Sequence, residues 1–74
     1  MIAEQISLLQ VGSYLMSDGG NADSAIQVLE ISEKGLRFRR CHSYYNGEEF
    51  FLNQDALAKS NWVLVPAGTQ LTLL

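Results

Sequence analysis

With 74 residues, the chain has room for one small core, because a domain of this size buries only ~60% of the surface its unfolded form exposes. A second domain is excluded. Hydrophobic residues at 47% and charged residues at 18% exclude an extended disordered segment, and a net charge of -3 sets a field against phosphate backbones that disfavours nucleic-acid binding driven by overall charge.

Residues 1–10 read as a lead-in to the single domain spanning 1–74. Ile2, Ile6 and Leu9 fall at helical spacing, which fits a short turn of helix or an irregular entry. Glu4 stands where a secretory leader needs basic residues, and no apolar run approaches the ~20 residues of a membrane span. Cys41 is the only cysteine, so no disulfide can staple the chain. The expected compartment is the reducing cytoplasm, with no membrane association.

The stretch from Val11 to Met16 is apolar and rich in strand formers, and so is the stretch from Ala25 to Ser32. Between them, residues 17–24 (Ser17-Asp18-Gly19-Gly20-Asn21-Ala22-Asp23-Ser24) form a long polar loop that joins two strands.

Two tight-turn signals follow, at Lys34-Gly35 and Asn46-Gly47, and predict consecutive hairpins. A turn at Lys34-Gly35 sets Ile31 opposite Phe38 and Glu30 opposite Arg39. A two-residue turn at Asn46-Gly47 sets Tyr45 opposite Glu48, Ser43 opposite Phe50 and Cys41 opposite Leu52. One face then carries Cys41, Phe50 and Leu52 toward the core, and the other presents Arg40, His42, Tyr44 and Phe51. Leu36 and Phe38 share parity with Arg40, so a β-bulge near Arg39-Arg40 is needed to switch the inward face.

Beyond the second hairpin, Asn53 to Lys59 has a capping asparagine, an acidic first turn and a basic last residue, as a short helix wants. The run from Asn61 to Val65, ended by Pro66, reads as a strand, and Thr69 to Leu74 alternates as a final one. The expected fold is mainly β, with about five antiparallel strands and one short helical turn before the penultimate strand. In ordering and spacing from Val11 to Val65, the chain resembles the small SH3-like barrels. Peptide-binding SH3 domains carry an acidic and aromatic cluster in the long loop, and residues 17–24 hold Asp18 and Asp23 without the aromatics. Trp62 reads as core filling.

Catalytic readings fail on spacing. Cys41 and His42 are neighbours on a strand and point to opposite faces, so they cannot form a nucleophile–base pair. The same geometry separates Glu48 from Glu49. One cysteine and one histidine without paired spacing supply no zinc site, and Leu29 stands where a calcium loop beginning at Asp18 needs its bidentate glutamate. Gly19-Gly20 precedes a strand and not the helix that would bind a phosphate. No cofactor is implied, and no enzyme activity is expected.

Two surfaces remain. Arg40, His42, Tyr44 and Phe51 suit a protein partner or a second copy of the chain, because arginine and aromatics anchor interfaces without a net positive field. Arg37, Arg39 and Arg40, with Tyr44 and Tyr45, offer the alternative of a nucleic-acid interface, arginines on phosphates and rings on bases. Against both stands a plain arrangement in which Arg39 pairs with Glu30, Arg37 is an ordinary solvated strand residue, Glu48 and Glu49 close the sheet with negative charge, and Phe51 packs against the segment carrying Ile6 and Leu9.

Overall fold

The computed structural model describes residues 1–19, 25–41 and 47–65. In chain order these form α1 (Ala3–Ser7), β1 (Tyr14–Ser17), β2 (Ile26–Ser32), β3 (Gly35–Arg40), β4 (Glu49–Asn53), α2 (Gln54–Ala58) and β5 (Trp62–Leu64). The strands make one antiparallel sheet in the order β4-β3-β2-β1-β5. The expected mainly β architecture holds, but the sheet is not a closed barrel. β5, three residues long, pairs only with β1, and β4 pairs only with β3, so the two end strands do not meet. The helical turn precedes the last strand among the described residues; the strand expected over 69–74 lies outside them, as does most of the polar loop.

Alternation decides which face is inside. Leu15, Ile26, Val28, Leu36 and Phe38 are buried, and Phe50, Leu52, Trp62 and Leu64 pack against them from the two outermost strands, β4 and β5. Leu57 of α2 and Met1 and Leu9 from around α1 complete the same core, with Ile6 beside them. Ile6 and Leu9 therefore cover the inner face and not Phe51. The Met1 ammonium donates to the carbonyls of Leu57, Ala58 and Ser60, which ties the lead-in to the C-terminal end of α2.

The first hairpin differs from expectation by two residues. Ser32 faces Gly35, which makes Glu33-Lys34 the turn, and Ile31 faces Leu36 while Glu30 faces Arg37. An even shift preserves the inward set of β3, but in β2 the buried residues are Ile26 and Val28 while Ile31, expected to face Phe38, is 43% exposed. The bulge lies in β2, where Leu29 is the extra residue between Val28 and Glu30, and not at Arg39-Arg40.

The second hairpin departs by five residues, which is odd. Leu36 faces Leu52, Phe38 faces Phe50 and Arg39 faces Glu49, which is not the register that a two-residue turn at Asn46-Gly47 would set; residues 42–46, which include the first residue of that expected turn, lie outside the described residues. Phe50 and Leu52 share the inward parity of Leu36 and Phe38, and no switch of face is required. Stacking drives this choice: the Phe38 and Phe50 rings lie 5.5 Å apart with an interplanar angle of 24°, an offset arrangement favoured by aromatic quadrupoles. Among the described residues, no helix is long and apolar enough to cross a membrane.

Candidate functional site

The observed register divides the expected interface. Arg40 shares parity with Phe38 and lies at the inner end of β3, its guanidinium 4.9 Å from the Phe50 ring centroid. Phe51 is on the outer face, opposite Arg37. The structure therefore brings Phe51 together with Arg37 and Glu49, and not with Arg40. His42, Tyr44 and Tyr45 lie outside the described residues.

Phe51 is 53% exposed, although its ring passes over Gly35 in the neighbouring strand. Its position follows from the inward packing of Phe50 and Leu52, since the residue between two core positions of a strand must face away. Along the outer face of β4, Glu49, Phe51 and Asn53 form one row. Among the described strands, β4 is also an edge of the sheet.

Each described arginine of β3 already has a partner. Arg37 bridges Glu30 at 3.1 Å and Glu49 at 3.3 Å. Arg40 pairs with Glu48 at 3.3 Å. Arg39, expected to pair with Glu30, instead donates from Nη2 to Gln27 Oε1 at 2.8 Å, and Gln27 donates to Tyr14 Oη at 3.2 Å. The Nε of Arg39 is buried without a partner. Exposed pairs of this kind add little stability, but each carboxylate cancels charge that a phosphate would need. Gln27 and Tyr14 could not be assigned to this network from sequence, because the cross-strand register that aligns them is set by packing.

Cys41 is buried, its Sγ 3.7 Å from the Arg39 carbonyl oxygen. No group of metal-ligating side chains occurs among the described residues. An open hollow of about 180 Å³ lies between Met1, Gln5, Asp18, Asn61 and Trp62, smaller than the ~300–1,000 Å³ usual for small-molecule sites. Trp62 is half-buried, packing against the core on one side and lining this hollow on the other. Comparison with protein-family models, with curated proteins and with solved structures finds no match for this chain.

Proposed function

We propose that the chain is a small, non-enzymatic accessory module that binds a protein partner through its second hairpin, β3–β4, with Phe51 as the anchor. The observation that carries this reading is the exposure of Phe51 on an edge strand whose neighbouring arginines are already charge-paired. An aromatic ring flanked by Arg37 and Glu49 has the composition of an interface centre with a polar rim. The strand order, with β5 returning beside β1, supports an opened SH3-like arrangement. The burial of Cys41, a small apolar side chain here, fits a reducing, cytoplasmic setting and an inert thiol.

Nucleic-acid binding through Arg37, Arg39 and Arg40 is the second reading, and it requires a phosphate to displace Glu30, Glu49 or Glu48. A photo-crosslinking residue placed at Phe51 in cells of the source organism is expected to capture a protein, while the same residue at Leu8, more exposed and on the lead-in, captures none. Equal labelling from both positions defeats the proposal. In parallel, titration with single-stranded DNA and RNA at low salt is expected to leave the amides of 37–41 unmoved; salt-sensitive shifts there would transfer the assignment to nucleic acid.

A further inference from the structure

We propose that the partner at β4 is a second copy of this chain, joined antiparallel to it across a two-fold axis at Phe51. This deepens the interface reading of β4 and rests on it.

Hydrogen-bond direction supplies the first argument. The Arg40 amide donates to the Glu48 carbonyl at 2.8 Å, and the Gly47 amide donates to the Arg40 carbonyl at 2.9 Å. Backbone groups alternate along an antiparallel ladder, so Phe50 and Leu52 also direct theirs toward β3. Glu49 and Phe51 direct theirs to the edge that no other described strand covers, and Asn53 its amide, since the carbonyl of this helix-capping residue accepts within α2. An edge that no described strand covers is a template for another strand, and β4 lacks the lysine or proline that would blunt it.

Register supplies the second argument. A two-fold axis at Phe51 pairs Phe51 with Phe51 of the other copy, Phe50 with Leu52 and Glu49 with Asn53. In this register Phe51 exchanges both backbone bonds with its copy, and each Asn53 amide can donate to a Glu49 carbonyl. It also covers Phe50 and Leu52, which are half-buried at the sheet margin.

Charge selects the same register. The two Glu49 residues are then four residues apart along the strands, about 14 Å at ~3.4 Å per residue, beyond the ~8 Å screening length at physiological salt. A slip that centres the pair on Glu49 would set the two carboxylates face to face. Reversed, the sequence Glu-Phe-Phe-Leu-Asn lays its acid against its amide and its apolar centre against itself. That self-complementarity is what an isologous contact requires.

Sedimentation across roughly 1 µM to 1 mM is expected to show a concentration-dependent monomer–dimer equilibrium. Phe51→Pro should shift it to monomer while the far-UV spectrum stays that of the folded chain, because the lost amide faces the edge and not β3. Disulfide trapping tests the register directly: Phe51→Cys is expected to cross-link two copies in oxidising buffer, since directly opposed Cα atoms lie ~5.5 Å apart, whereas Glu49→Cys is not. A wild-type chain that stays monomeric throughout, or Glu49→Cys cross-linking as readily as Phe51→Cys, overturns the proposal. If the wild-type chain is monomeric and the photo-crosslinker at Phe51 still captures a different protein, the self-pairing fails and the interface reading survives; a monomer that captures nothing removes both.

Discussion

Gly35 is where a single atom decides the packing of two strands. It opens β3 at φ +147°, a conformation that side chains rarely adopt. A Cβ there would press on the Leu52 carbonyl oxygen, lie 2.6 Å from the Asn53 Cα and 2.8 Å from the Phe51 ring. Two of these obstacles are backbone, which cannot swing aside. The positive φ and the clash together should make Gly35→Ala destabilising by about 2–4 kcal/mol, as measured by the urea midpoint. The same change would lift the Phe51 ring off the sheet and disturb the edge on which the proposed interface depends. A variant of normal stability would mean that β4 does not approach β3 so closely. Legibility at this scale was partial: the glycine marked a turn in the sequence, but its close approach to β4 depends on a strand seventeen residues away.

At the scale of elements, local chemistry was readable where it acts locally. Asn53 ends β4 and caps α2, its Oδ1 accepting from the Ala56 amide at 2.7 Å, and Asp55 pairs with Lys59 at 3.1 Å one turn on. Asn53→Ala should therefore lower stability by about 1 kcal/mol, with Asn53→Asp close to wild type; thermal unfolding of the two variants distinguishes a cap from a mere strand end. Hairpin registers behaved differently. The turn near Lys34-Gly35 was placed within two residues, and because the shift is even the apolar face of β3 came out correctly, whereas the bulge at Leu29 turns Ile26 and Val28 inward in place of the parity of Ile31. The signal at Asn46-Gly47 was local and strong, yet the register is set by Phe38 stacking on Phe50 and by Leu36 meeting Leu52. Core burial outweighs turn preference here, since burying two large apolar side chains contributes several kcal/mol against a cross-strand pair worth about 0.2–1. That odd shift is why Arg40 and Phe51 were expected on one face and occupy opposite ones.

The whole molecule is held by a core with one helix closing it. Leu57 is fully buried, the only buried residue of α2, and the carbonyls of residues 57, 58 and 60 around it also receive the Met1 ammonium. The lead-in and the β4–α2–β5 segment thus meet at one side chain and one set of hydrogen bonds. Removing that side chain leaves a cavity at this junction. Leu57→Ala should cost about 2–5 kcal/mol, against a total of about 4–11 kcal/mol for a chain of this length. Much of the molecule should then unfold at room temperature, with α1 released first because Met1 and Leu9 lose their common neighbour. Amide exchange would show it: in the variant, protection should vanish at Ile6 and Leu9 before it weakens at Val28 and Phe38. Simultaneous loss at all four positions would mean that the sheet has no stability apart from its helical cover. In that case a second copy joined at β4 could lend the sheet strength without replacing α2, because the proposed contact adds strands at the edge and leaves the inner face as it is.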